Sequence, residues 1–355
     1  MTQRPTTRGR GAALVLAALT ALVAGADPAA ADPPRPTDYR STVTAIEPEA
    51  AAVEARIVGG DAFLELRIDA GHQVVVEGYG DEPYLRFLPD GTVERNRRSE
   101  ATYLNDDRQG AVDLPAEADN DAEPEWETVA EDGRYAWHDH RIHWMGGGTP
   151  PGAEPGQVVQ EWTVALTVDG APTEVHGRLV MAEGISPLPW IVLAVAGAAL
   201  VAAVGRRRPQ LTAGVAVLVA AAGALAVGWG HYAVVPAASG ADPLLVAVPL
   251  VGLAAAAAGV VLRGRATGPT ATLAAAAAVI GWGVLRASVL WMPVLPTEVP
   301  YALDRAITSL ALGLSAAAAG LVVWSGGLAG EPAARPAVTS HERDGHETGS
   351  SSATD

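Results

Sequence analysis

Residues 135–145 read Tyr-Ala-Trp-His-Asp-His-Arg-Ile-His-Trp-Met, and they concentrate the side chains best suited to chemistry. Three of the eight histidines (His138, His140 and His143) and one of the four methionines (Met145) fall there, beside Trp137 and Trp144. The chain has no cysteine, which excludes a thiolate metal site, a disulfide framework and a cysteine nucleophile. Imidazole and thioether remain, a ligand set that suits copper, with Asp139 available to orient a histidine from behind. If the segment is a strand, alternate residues share a face, so His138 and His140 are the pair able to hold one ion. His143 and Met145 then face the other way unless a bulge or turn intervenes near Arg141 or Ile142. A histidine can also serve as a base. No nucleophile, phosphate loop or carboxylate pair accompanies these, and the chain reads as a non-enzyme. The competing reading is a structural or protein-interaction module without a metal, in which the histidines hydrogen-bond inside a β-sandwich and the tryptophans pack its core.

The elements that must position this cluster alternate apolar and polar residues in short runs broken by Gly, Asp and Pro, the period-2 signature of strands. Residues 52–58 and 62–68 flank Gly59-Gly60-Asp61 as a hairpin; 73–79 form a third strand; 84–88 and 92–95 flank Pro89-Asp90-Gly91 as another hairpin. The acidic, proline-interrupted stretch 117–127 reads as a solvated loop. The clearest hairpin joins 157–168 to 173–182 through Asp169-Gly170. Turn signals at this spacing predict an antiparallel sandwich over residues 32–186. Tyr84, Arg86, Phe87, Asn96, Tyr103 and Asn105 are explained by strand and turn roles, and His72 and His176 by exposed or satisfied positions.

The composition changes after Ser186-Pro187. Five apolar runs, 189–204, 211–229, 243–262, 270–290 and 302–324, approach the length needed to cross a bilayer, so 187–328 reads as a five-helix transmembrane domain. Arg206-Arg207-Arg208 and Arg263-Gly264-Arg265 follow the first and third runs, which places those loops in the cytoplasm. The β-domain is then extracytoplasmic. A signal peptide over 1–31 agrees: Arg4, Arg8 and Arg10 precede an apolar run and Ala29-Ala30-Ala31. Residues 329–355 read as a disordered cytoplasmic tail. Arg286 is the strong charge inside a span, and Asp304 is its expected partner at similar depth. The net charge of −16 argues against a nucleic-acid partner; the bilayer and a membrane or extracytoplasmic protein are the partners to expect. The spans lack broken-helix motifs and an inverted repeat, which argues against a transporter.

Residues 162–180, Trp162-Thr163-Val164-Ala165-Leu166-Thr167-Val168-Asp169-Gly170 continuing to His176-Gly177-Arg178-Leu179-Val180, resemble the closing hairpin of CopC-like copper-resistance domains. That resemblance implies a secreted β-sandwich able to handle copper. Ala171 stands where that family usually has a histidine, and Asp32-Pro33 lacks its N-terminal ligand, so a copper ion here would need a different set: His138, His140, His143 and Met145. The whole chain resembles uncharacterised exported multi-pass membrane proteins of GC-rich bacteria, which implies architecture and no activity.

Overall fold

The computed structural model describes residues 34–146, 148–235 and 241–326. The expected signal peptide and C-terminal tail lie outside the described residues. An antiparallel β-domain is followed by five long apolar helices.

Two sheets face each other. The larger is built from β1 (Tyr39–Glu47), β4 (Val74–Glu77), β5 (Pro83–Phe87), β6 (Val93–Asn96), β7 (Trp126–Ala130), β9 (Val158–Val168) and β10 (Ala171–Met181), in the order β1-β10-β9-β4-β5-β6-β7. The smaller holds β2 (Val53–Val58), β3 (Phe63–Ile68) and β8 (Arg134–Trp137), in the order β2-β3-β8. Alternation dictates which side chains meet between them. Trp162, Val164, Leu166 and Val168 of β9 point inward, as do Val53, Leu64, Leu66, Tyr135 and Trp137 of the smaller sheet, and together they make one core. The closing hairpin turns at Asp169 (φ 49°) and Gly170 (φ 84°), the left-handed pair that a two-residue hairpin loop requires.

The three expected hairpins are all present. Two features are not those the sequence suggests. The acidic stretch runs into a strand at Trp126, because β6 offers a free edge and Arg86 lies 4.3 Å from the Trp126 ring. Strand β8 stops at Trp137, short of the histidines.

The bundle comprises α1 (Leu188–Gly205), α2 (Pro209–Val234), α3 (Leu244–Val261), α4 (Thr267–Leu285) and α5 (Tyr301–Trp324), each long and apolar enough to cross a membrane. Its seams are lined by alanine, including Ala220, Ala221, Ala275, Ala276, Ala311 and Ala318, which lets backbones approach closely where lipid offers no hydrophobic driving force. Helix α2 continues past Trp229 to take in His231, and α4 ends at Leu285, five residues before the expected limit, in a 3₁₀ turn over Ala287–Leu290. Both departures serve one buried ionic group described below.

The two parts are joined by more than the 183–187 linker. Thr37 and Val294, in the α4–α5 loop, exchange backbone hydrogen bonds of 3.0 and 3.1 Å. Val234 and Val235 at the end of α2 pack on Ala62, Phe63 and Ala136 of the smaller sheet. Arg305 donates to the carbonyls of Val289, Met292 and Pro293 and so stiffens the loop that receives the β-domain. Gly60, at φ 85°, lies so close to that loop that a Cβ would stand 2.5 Å from Val294 Cγ1. Gly60→Val therefore strains the backbone and the junction together. We expect it to cost about 1–3 kcal/mol, to lower the thermal midpoint in detergent, and to speed proteolysis in the 183–187 linker; unchanged values for both would refute the docking role.

Candidate functional site

The end of β8 is decided by one carboxylate. Asp139 is wholly buried, caps the 3₁₀ turn His140–Ile142, and accepts from the Arg141 backbone N–H at 3.0 Å. It also accepts from Arg141 Nε and Nη2 at 2.8 and 2.7 Å and from Trp137 Nε1 at 2.8 Å. Burial pushes the Asp139 carboxyl up, but the charge of Arg141 and these hydrogen bonds outweigh it and hold the group below the usual carboxylate range. Arg141 in turn donates to the carbonyls of Glu77 and Gly78 and lies over the Tyr79 ring. The turn reverses the chain. His138 and His143, expected on opposite strand faces, come to 5.4 Å between ring centres, and His140 and His143 to 5.7 Å. The expected His138–His140 face pair is thus replaced by a group centred on His143, for the reason that an extended strand cannot bury Asp139 with its guanidinium.

The two innermost imidazoles are nearly inaccessible, His138 at 2 % and His143 at 0 % exposure. His138 Nδ1–H donates to the Ala62 carbonyl, which fixes the tautomer and leaves Nε2 as a lone-pair nitrogen. His143 Nδ1 lies 3.4 Å from the Trp144 carbonyl. Nε2 of both rings is buried without a hydrogen-bond partner. His140 is half-buried, stacks on Tyr79, and donates from Nε2 to the Asp107 carbonyl at 2.9 Å, which leaves its Nδ1 as the lone-pair nitrogen. Burial, with Arg108 nearby, depresses His138 to about 4 and His143 to about 3, so both are neutral at pH 7. Met145 stays outside this group, 37 % exposed.

Neutral imidazoles with one nitrogen committed to a carbonyl and the other free have the arrangement of metal-ligating histidines. The ring separations of 5.4 and 5.7 Å are those of packed rings, and they are also short enough for two imidazoles to reach one ion. Among the described residues, no three His, Asp or Glu side chains stand in place to enclose an ion. What is built is a pair of adjacent buried imidazoles with His140 beside it. The chain matches no protein-family model, no curated protein and no solved structure.

Other candidates resolve into structure. His72 pairs with Asp169 at 2.7 Å and His176 lies 3.3 Å from Glu174, both at the surface. Asn96 donates to the Pro83 carbonyl, and Asn105 accepts from Tyr79.

A second polar group lies within the bundle, at the end nearest the β-domain. Arg286 and Asp304 pair at 3.1 Å as expected, and His231, which the sequence left at the edge of a shorter span, completes the group. His231 Nε2 is 2.5 Å from Asp304 Oδ2 and 3.0 Å from Arg286 Nη2. One nitrogen cannot donate to the carboxylate and accept from the guanidinium at once. At 2.5 Å from an anion it donates, and Arg286 is left to bond Asp304. Thr308 adds a donor from one turn below at 3.2 Å, and Trp282 offers its ring face to Arg286 at 4.8 Å.

Two outcomes follow from these environments. The folded His138 and His143 bind protons less tightly than their unfolded value of 6.5, so the stability they contribute is intact above pH 6.5 and is lost as pH falls toward 3–4. The loss is about 1.4 kcal/mol for each tenfold difference in proton affinity. Unfolding curves across that window should flatten in His138→Gln/His143→Gln relative to wild type, and identical slopes would contradict the burial described. In the bundle, Asp304→Asn strands Arg286 without an anion and should destabilise by about 3–5 kcal/mol, read by SDS titration in mixed micelles. Asp304→Leu/Arg286→Met should lose clearly less than the sum of its single changes; additivity would mean that the pair is not coupled.

Proposed function

We propose that this multi-pass membrane protein carries its β-domain on the extracytoplasmic side and binds a transition-metal ion there, with copper the first candidate. The observation that carries the reading is the pair of partnerless Nε2 atoms on His138 and His143, two adjacent buried rings that are neutral at pH 7. His140 and Met145, which do not converge with the pair, would join the ion only on a rearrangement of the 140–146 segment. Imidazole suits copper, zinc and nickel alike, and a thioether favours copper. The likeness of residues 162–180 to CopC-like hairpins points the same way. Orientation rests on the arginine clusters 206–208 and 263–265, which follow α1 and α3 at the ends away from the β-domain.

The competing assignment is a structural or protein-interaction module in which the Asp139–Arg141 turn is the purpose of the segment and the imidazoles are packing. One measurement separates them. Full-length protein in detergent is titrated with Cu(I), Cu(II) and Zn(II) beside His138→Ala/His143→Ala. We expect one ion per chain in the wild type and at least a hundredfold weaker binding in the variant. No stoichiometric binding, or equal binding by both, leaves the structural module standing.

A further inference from the structure

Strand β1 pairs antiparallel with β10 so that Arg40 stands opposite Val180 and Thr42 opposite Arg178. Residues two apart share a face. Ser41 and Leu179 are buried toward the core, so Arg40, Thr42, Arg178 and Val180 all point away from it. The two arginines are diagonal neighbours on this face, a spacing of about 7–8 Å that long side chains bridge with ease. They line one groove of about 370 Å³, whose apolar wall includes Met181, Ile185 and Pro293. Neither guanidinium has an ion-pair partner among the described residues, and the one carboxylate of the lining, Glu183, is exposed.

The position of the groove identifies its occupant. Ile185 lies three residues before α1, and Pro293 belongs to the loop joining α4 to α5, so the groove opens where the helices begin. Tyr301, the first residue of α5, holds its ring 5.9 Å from the Arg40 guanidinium, and amphipathic rings mark the membrane–water boundary. Directly beyond the groove, Leu188, Ile191 and Val195 of α1 are 64 %, 50 % and 63 % exposed at helical spacing, an open apolar track leading down the bundle. Two guanidinium-bearing side chains lining one groove above an apolar track match a phosphate joined to an acyl chain, and guanidinium forks bind phosphate oxygens bidentately.

We propose that the Arg40–Arg178 groove binds the phosphate of an anionic phospholipid in the leaflet on the β-domain's side, with an acyl chain laid along α1. The lipid thereby ties the outward face of the β1–β10 pair to the membrane, independently of any metal at the histidines.

The test uses the full-length protein in phosphatidylcholine vesicles doped with a photoactivatable phosphatidylglycerol, and maps the cross-links by mass spectrometry. Labelling is expected within 178–185 or at Pro293, to be competed by unlabelled phosphatidylglycerol but not by glycerol phosphate, and to fall about tenfold in Arg40→Gln/Arg178→Gln. Labelling near the arginine cluster 206–208, at the opposite end of α1, should persist in the variant and shows that it has inserted and folded. Equal labelling of the groove in the variant, or equal labelling by a photoactivatable phosphatidylcholine, overturns the proposal. Competition by glycerol phosphate at matched concentration overturns it as well, since the site would then read soluble phosphate.

Discussion

A carboxylate withdrawn from water has to be matched by donors, and that constraint shapes both halves of this protein. Asp139 in the sandwich and Asp304 in the bundle are both fully buried, and each is surrounded by an arginine and further donors. Glu65, buried on the central strand of the smaller sheet, is held between Arg56 and Arg134. Every cation in the chain is arginine. A guanidinium can satisfy several acceptors from one position, as Arg141 does for Asp139 and the Glu77 and Gly78 carbonyls, and an ammonium could not substitute in the same geometry. The local structure follows the charge: β8 ends where Asp139 must turn inward, and α4 ends where Arg286 must reach Asp304.

The histidines share a pattern seen at Asp61 and Asn105, in which one polar atom is bonded and the other is buried without a partner; Asp61 has Arg108 on its second oxygen, and Asn105 has Tyr79 on its carbonyl. His138 and His143 each leave a lone-pair nitrogen empty, on rings next to one another. Buried polar atoms are nearly always satisfied, and here the two unpartnered nitrogens are of the same chemical kind on adjacent rings.

Much of the fold was legible because it depends on period and punctuation. Alternation set the strands, Gly59-Gly60-Asp61 and Asp169-Gly170 set the hairpins, and apolar length set the five helices. The Arg286–Asp304 pair could be anticipated because charges in an apolar run have few possible partners. The arrangement of the histidines could not be. Strand periodicity places His138 and His140 together, whereas the chain reverses on a local bond from Arg141 to Asp139, two residues apart and without periodic signature. The one available hint was Asp139 itself, an acidic residue between two histidines with Arg141 two residues on, whose burial would demand that local cation. His231 was missed for a related reason: it lies beyond the apolar run, and its partner is 73 residues away.

The histidine group and the bundle also share a structural element. The Ala62 carbonyl that orients His138 belongs to the β2–β3 turn; so does Asp61, which is bound by Arg108, and so does Gly60, which seats on Val294. Phe63 packs on the His138 ring and, in the same cluster, on the end of α2. The α4–α5 loop that receives this turn is held by Arg305, the residue after Asp304. The tautomer of His138 is therefore set by a turn whose position depends on the junction with the bundle. A β-domain separated from its helices would keep the strands, which are fixed by their own core, but would lose the support that holds this turn. For that reason the placement of the His138 ring belongs to the full-length chain, and the five helices contribute to it through the junction.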